Sequence, residues 1–147
     1  MKTLFAIVFT FVSVAAFAQA NLDTLSGSWK SNCVQSQMYG KQGFTTEQYT
    51  FRASGEYSMI REWFKDSTCD QGSFDQDTET GTVKLGNENT INGFNPGNTL
   101  EADFRHGSST DLGLIGLDKS GTTVRVARGM GNMRNTMLSL FSYSKIN

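Results

Sequence analysis

Two arginines occupy strand-like stretches in which a charge could recognise a ligand. Arg61 shares one face of a predicted strand with three large side chains, those of Tyr57, Met59 and Trp63. If that face is interior, the guanidinium group needs a carboxylate, an aromatic ring or an anionic ligand, because an unpaired buried charge is unfavourable. Arg128 ends a later alternating stretch and poses the same question.

His106 is the only histidine in the chain, so a Ser-His-Asp or Cys-His mechanism would have to use it. It precedes Gly107-Ser108-Ser109, a turn sequence, which predicts a surface position. There is no Gly-x-Ser-x-Gly motif, and Gly129-Met130-Gly131 is too short for a phosphate loop and lacks the following lysine. We therefore predict that the protein is not an enzyme and uses no cofactor.

The acidic stretch Asp75-Gln76-Asp77-Thr78-Glu79 places carboxylates at positions one, three and five, which suggests calcium. The glycine and the final glutamate of a calcium-binding EF-hand loop are missing, however. In a strand the same spacing puts all three carboxylates on one face, which we predict to be the solvent face. Two cysteines and one histidine are also too few for a zinc site, so no metal site is predicted.

The first twenty residues have the order of a secretory signal peptide. Lys2 precedes the apolar run 4–14, and small residues follow at Ala16, Ala18 and Ala20. The run is too short for a membrane span, and no cysteine stands at the cleavage point to carry a lipid. We predict a signal peptide over 1–20 and one exported domain over 21–147, secreted or periplasmic.

Cys33 and Cys69 are the only two cysteines. In an oxidising export compartment they are predicted to form one disulfide, which would contribute about 4 kcal/mol by restricting the unfolded chain. Two free thiols or a metal pair are the alternatives. The formal charge of −1 and the sequence pI of about 5.8 give no electrostatic basis for binding nucleic acid.

The composition after residue 20 predicts an all-β domain. Ser, Thr, Asn and Gly are abundant and proline occurs once, which is typical of strands joined by tight turns. Alternation predicts strands over 27–34, 44–53, 56–64, 71–80, 82–85, 100–105, 111–117, 122–128 and 136–146. Loops are predicted over Met38–Gly43 and Gly86–Asn98. Since closure removes exposed edges, we predict one antiparallel up-and-down β-barrel of about eight strands.

The first strand begins with Leu25-Ser26-Gly27-Ser28-Trp29, which resembles the Gly-x-Trp motif of the lipocalin-like (calycin) group of small β-barrels. The later turn Asp118-Lys119-Ser120-Gly121 and the closing stretch Phe141–Lys145 also fit that group. In these proteins the tryptophan packs on an arginine from late in the chain, a role that the resemblance assigns to Arg128 or Arg134. We predict no short helix after the last strand, which secreted animal members usually have, so the resemblance is expected to be to the bacterial or outlier members.

The resemblance implies a cavity for a small, mostly apolar ligand such as a fatty acid, an isoprenoid or a pigment. We predict a monomeric exported carrier of a hydrophobic or amphipathic molecule, and two inward arginines would favour an anionic one. The candidate lining residues are Trp29, Tyr49, Phe51, Tyr57, Met59, Arg61, Trp63, Phe104 and Arg128. The same aromatic side chains could instead fill the barrel as a solid core.

A second hypothesis comes from a different class. Small disulfide-bonded barrels can inhibit a secreted or envelope hydrolase by inserting a loop into the enzyme. The segments Met38–Gly43 and Gly86–Asn98 are the candidate loops here. A solid core with an exposed loop favours this inhibitor hypothesis, whereas an internal cavity favours the carrier.

Overall fold

The computed structural model of the protein describes residues 21–38, 41–88, 99–129 and 141–146. The described part consists of one short helix and nine strands. Their bounds are α1 Leu22–Leu25, β1 Gly27–Ser31, β2 Val34–Met38, β3 Lys41–Phe51, β4 Glu56–Phe64, β5 Asp75–Glu88, β6 Thr99–His106, β7 Ser109–Leu117, β8 Thr123–Arg128 and β9 Tyr143–Ile146.

The strands form one closed antiparallel sheet. From β2 through β9 each strand pairs with the next one in the chain, and β9 pairs with β1. The sheet closes because β1 also pairs with β3, beyond the stretch of β3 that pairs with β2. Strands β1 and β2 therefore occupy a single position, and the prediction of an up-and-down barrel of eight strands is confirmed.

Successive strands run in opposite directions, so alternate connections lie at the same end of the barrel. Helix α1 and the turns 52–55 and 118–122 lie at one end, which we call the capped end. At this end Leu25 is fully buried, and its carbonyl oxygen accepts a hydrogen bond from Nε1 of the buried Trp29 at 2.6 Å. The connections 65–74 and 107–108 lie at the opposite end, which we call the distal end.

The core fills the barrel from the capped end to its middle. Alternation along the strands points every second side chain inward, as the spacing of the sequence predicts. The aromatic rings meet at 5.3 to 6.5 Å between centroids, which is the range of favourable aromatic pairs. The buried core residues are Leu25, Trp29, Tyr49, Phe51, Tyr57, Met59, Val83, Leu100, Ala102, Phe104, Ile115, Leu117, Val124, Val126 and Tyr143.

The strand boundaries differ from the prediction in three places. The predicted loop Met38–Gly43 is paired in its described part, because residues 34–38 of β2 pair with 41–45 of β3 and so satisfy the backbone groups there, while residues 39–40 lie outside the described residues. The first predicted strand is interrupted at 32–33. A single strand, β5, replaces the two strands predicted over 71–80 and 82–85, and it continues to Glu88. The rest of the predicted loop Gly86–Asn98 lies outside the described residues. Residues 136–140 of the last predicted strand also lie outside the described residues.

The predicted disulfide is confirmed. Cys33 is bonded to Cys69, with their Cα atoms 5.8 Å apart. The bond ties the interruption between β1 and β2 to the connection that follows β4 at the distal end. Among the described residues, no helix is long and apolar enough to cross a membrane.

Candidate functional site

Arg128, at the end of β8, is the centre of an ion-pair group inside the distal half of the barrel. Its Nε and Nη2 atoms donate to Oδ2 of Asp111 at 3.0 and 2.5 Å. Its Nη1 and Nη2 atoms donate to the two carboxylate oxygens of Glu79 at 2.6 and 3.2 Å. One guanidinium group thus links two carboxylates from β5 and β7, which would otherwise repel each other.

Two further side chains complete this group. The hydroxyl of Tyr57 donates to Oε1 of Glu79 at 2.5 Å. His106 lies with Nδ1 3.6 Å from Glu79 and Nε2 3.4 Å from Asp111. Its Nε2 is buried and forms no hydrogen bond with any of the described residues. We call Arg128, Glu79, Asp111, Tyr57 and His106 the Arg128 group.

A second ion-pair group lies on the inner faces of β3, β4 and β9. Arg61 donates through Nε and Nη2 to Oε1 of Glu47 at 2.8 and 2.5 Å. The other oxygen of Glu47 accepts a hydrogen bond from the hydroxyl of Tyr143 at 2.5 Å. Glu47 is buried, with 8% of its side chain exposed, whereas 36% of the Arg61 side chain is exposed. We call these three residues the Arg61 group, and both groups together the distal polar cluster.

Both arginines therefore point inward, as the alternation predicts, and both are paired with carboxylates of the chain. Strand alternation explains why, because Glu47 and Glu79 stand on the same strand faces as the core residues Tyr49 and Val83. Of the partners that an inward guanidinium group could have, a carboxylate, an aromatic ring or an anionic ligand, the structure shows carboxylates of the chain for both arginines. Neither guanidinium group depends on a bound anion for its neutralisation.

The carboxylates of the distal polar cluster and the buried tyrosines beside them shift each other's pKa values. Burial raises the pKa of Tyr49 to about 12, with a further increase from the charge of Glu47. Burial also raises the pKa of Tyr143, and the charge of Glu47 acts in the same direction. Burial would raise the pKa of Glu79 as well, but the hydrogen bonds from Arg128 and Tyr57 outweigh it, so that pKa lies below its usual value. Glu79 is therefore ionised at neutral pH.

Two predictions about this region are wrong, one of them in part. The acidic stretch is predicted on the solvent face, and Asp75 and Asp77 are exposed, but Glu79 points inward to Arg128 because β5 turns the face that carries Val83 toward the core. His106 was expected at the surface of a turn, but it ends β6 on the face of Phe104, and only 29% of its side chain is exposed. Alternation carries the correct signal in both cases, since Glu79 shares a strand face with Val83 and His106 shares one with Phe104.

The predicted lining residues are divided between core and cluster. Trp29, Phe51 and Phe104 are almost fully buried in the packed capped half or middle of the barrel. Tyr49, Tyr57 and Met59 belong to the same cluster of buried residues, and Tyr57 also reaches Glu79. Trp63 is 7% exposed and lies toward the distal end, and its Nε1 has no hydrogen-bond partner in the part of the chain that the structure describes. Most of the predicted lining therefore packs against itself, and the distal half holds the polar groups.

The cation on the tryptophan of the Gly-x-Trp motif is a lysine. Nζ of Lys145 lies 5.3 Å from the centre of the Trp29 ring, because β9 pairs with β1 and sets these residues side by side. Arg128 lies instead over the ring of Phe104, at 5.3 Å. Arg134, the other predicted partner, lies outside the described residues.

Two other features do not add to the site. Among the described residues, no group of three or more His, Cys, Asp or Glu side chains is arranged to hold a metal ion. A groove of about 420 Å³ lies beside the 52–55 turn, and the lining residues are Thr50, Arg52, Glu56, Tyr57, Ser58, Thr80, Gly81 and Thr82. Most of these side chains belong to the outer face of the barrel, away from the distal polar cluster.

The comparisons with known proteins add no assignment. Neither the protein-family models, nor the curated proteins, nor the solved structures give a match to this chain. The class that the fold and the site define is a closed, disulfide-bonded, eight-stranded antiparallel barrel with an internal polar cluster. The resemblance to the lipocalin-like group stays a prediction.

Proposed function

We propose that the protein is an exported carrier that binds a small amphipathic molecule in the distal half of its barrel. The observation that supports this proposal is the distal polar cluster itself. Two arginines, three carboxylates and a histidine face inward above a layer of aromatic rings. An interior that served only as a packed core would be apolar, whereas binding sites combine an apolar wall with a few polar groups.

Export is part of the same proposal. The predicted signal peptide over residues 1–20 would send the chain to an oxidising compartment. The Cys33–Cys69 bond is consistent with such a compartment, because disulfides persist there. A ligand would enter at the distal end, since α1 and Trp29 block the capped end.

Native mass spectrometry of the mature protein, purified from an oxidising export compartment, tests the proposal. We expect an additional mass that disappears on denaturation and is found in the released fraction. If the measured mass is that of the polypeptide alone, lighter by two hydrogens because of the disulfide, the proposal that the protein carries a co-purifying molecule is refuted.

A pair of variants on one strand locates the binding site. Asp77→Trp adds bulk at an exposed position of β5 on the same side as Glu79, so it is expected to remove the additional mass. Thr78→Trp adds the same bulk to the opposite face of the strand and is expected to keep it. Equal retention in both variants would place the ligand outside the barrel.

A further inference from the structure

The indole N–H group of Trp63 lacks an acceptor among the described residues. Trp63 is more than nine-tenths buried and follows Arg61 on the inner side of β4, toward the distal end. The only other tryptophan, Trp29, donates from its Nε1 to the carbonyl oxygen of Leu25 at 2.6 Å. A buried N–H group without an acceptor is unfavourable, so an acceptor atom of a bound molecule would stabilise Trp63.

Arg61 supplies a second donor next to Trp63. Its Nε and Nη2 atoms donate to Glu47, whereas its Nη1 atom donates to none of the described residues. Arg61 and Trp63 are successive inward residues of β4, about 7 Å apart along the strand, so one small head group can lie between their side chains. The Arg61 side chain is 36% exposed although it points inward, so solvent reaches this side of the distal interior. The indole nitrogen itself is covered, so binding requires side-chain rotations, which are common at binding sites.

The inward charges do not select a charged head group. The described part of the distal polar cluster holds three carboxylates and two guanidinium groups, which leaves one negative charge, and protonation of His106 would cancel it. The neighbouring Asp75 and Asp77 are exposed and add no positive charge. An entering carboxylate or phosphate would therefore lose hydration without an excess of positive charge to compensate. An ammonium group has only N–H donors, so it cannot accept a hydrogen bond from Trp63.

We infer that the ligand presents an uncharged carbonyl group, as in a ketone, an ester or an amide, to Trp63 and Arg61, and that this group stands on an apolar body. A carbonyl oxygen has two lone pairs and no hydrogen, so it accepts hydrogen bonds without itself needing an acceptor. The inference rests on the proposed function, because it names the chemical class of the molecule carried. It replaces the anionic head group that two inward arginines suggest from the sequence alone, since the chain itself neutralises those arginines.

Calorimetric titration of the mature, disulfide-bonded protein with 2-decanone, decanoate and decylamine tests the inference. The three probes have the same number of carbon atoms and are used below the concentrations at which they aggregate. We expect 2-decanone to bind about five-fold or more tighter than either charged probe, because only the ketone accepts hydrogen bonds without bringing a charge into the barrel. Equal or tighter binding of decanoate or decylamine would overturn the carbonyl assignment.

The indole N–H signals report the contact directly. Nitrogen–proton correlation spectra of the labelled protein contain one such signal for each of the two tryptophans, and the Trp63 signal is the one missing from Trp63→Phe. Addition of 2-decanone is expected to move the Trp63 signal to lower field, as a hydrogen bond does, and to leave the Trp29 signal in place. A Trp63 signal that does not move at saturating 2-decanone would overturn the inference.

The two tryptophans also give a matched pair of variants. Trp63→Phe removes the unused N–H group and keeps an aromatic ring, so it is expected to weaken 2-decanone about five-fold and to leave decylamine unchanged. Trp29→Phe removes an N–H group that Leu25 already accepts, so it is expected to lower the urea midpoint and to leave the affinity for 2-decanone unchanged.

The failure of the inference and the failure of the proposed function give different results. If Trp63→Phe keeps the full affinity for 2-decanone while the wild type carries an additional native mass, the carbonyl assignment is overturned and the carrier proposal stands. If no probe binds and the native mass is that of the polypeptide alone, both are overturned.

Discussion

Removing the positive charge of Arg128 is the sharpest perturbation of the site. Arg128→Met keeps most of the side-chain volume but leaves Glu79 and Asp111 as two neighbouring carboxylates without a counter-charge. Breaking a buried pair from one side costs about 3–5 kcal/mol when both charges are fully enclosed. Here 16% to 24% of the three side chains is exposed, so we expect the free energy of unfolding to fall by about 2–4 kcal/mol at neutral pH.

The pH dependence separates this cause from a simple loss of packing. In the wild type the pKa of Glu79 is lowered, so its ionised form stabilises the fold above about pH 4.5, and that contribution is lost as the pH falls below this value. In the variant, burial and Asp111 raise the pKa of Glu79 instead, so protonation relieves the repulsion as the pH falls. The difference in stability between the two proteins should therefore be largest near pH 7 and shrink toward pH 4.

Urea denaturation at about pH 7 and about pH 4.5 measures both quantities. Arg125→Met is the control, because Arg125 lies on the same strand but on the other face. Arg128→Met could lower the free energy of unfolding no more than Arg125→Met does, or by the same amount at both pH values. Either result would refute the role of Arg128 as the counter-charge of Glu79 and Asp111.

Three further predictions concern the barrel. Gly81→Ala should lower the free energy of unfolding by at least about 2 kcal/mol, because the added Cβ would lie 2.1 Å from the carbonyl oxygen of Arg105. The control Gly72→Ala has open space around the added Cβ and should leave the free energy of unfolding unchanged in the same urea titration. Reduction of the disulfide should cost about 4 kcal/mol, measured by denaturation with and without reductant; an unchanged midpoint would contradict this. Alkaline titration followed by tyrosine absorbance should leave Tyr49 protonated until about pH 12, and stability should fall as the pH rises from about 10 toward that value, because only the unfolded chain ionises there. Normal ionisation of all four tyrosines near pH 10 would refute the buried hydroxyls.

The sequence predicts the fold well because period-two alternation survives in almost every strand. Tyr49 and Phe51 lie inward as predicted, as do Tyr57 and Met59, and the two cysteines are bonded. The failures occur where local composition and tertiary pairing disagree. The glycine-bounded sequence 38–43 is typical of a loop, yet Met38 and residues 41–43 belong to paired strands, because backbone groups gain hydrogen bonds by pairing.

The partners within the site are not predictable from the sequence. Alternation shows that Arg61 and Arg128 point inward, but it cannot show that Glu47 meets one and Glu79 the other. These contacts depend on the strand register and on the closure of the barrel, which bring together residues as far apart as Tyr143 and Glu47. The acidic stretch is the clearest example. Strand alternation shows which residues share a face with Glu79, but whether that face is interior depends on how β5 pairs within the closed barrel.

The distal polar cluster contributes less to stability than its number of contacts suggests, because ionic groups lose hydration on burial. A barrel that combines Arg128→Met, Glu79→Met, Asp111→Leu and Tyr57→Phe replaces four of the five side chains of the Arg128 group by apolar ones and keeps His106. Tyr57→Phe is included because the Tyr57 hydroxyl would otherwise lose its acceptor, Glu79. Such replacements are neutral or stabilising by about 1–4 kcal/mol in other buried ion-pair networks, so we expect a folded barrel at least as stable as the wild type. We also expect it to lose the additional mass in native mass spectrometry. If the apolar barrel folds and still carries that mass, the cluster is a structural element and the ligand is bound elsewhere.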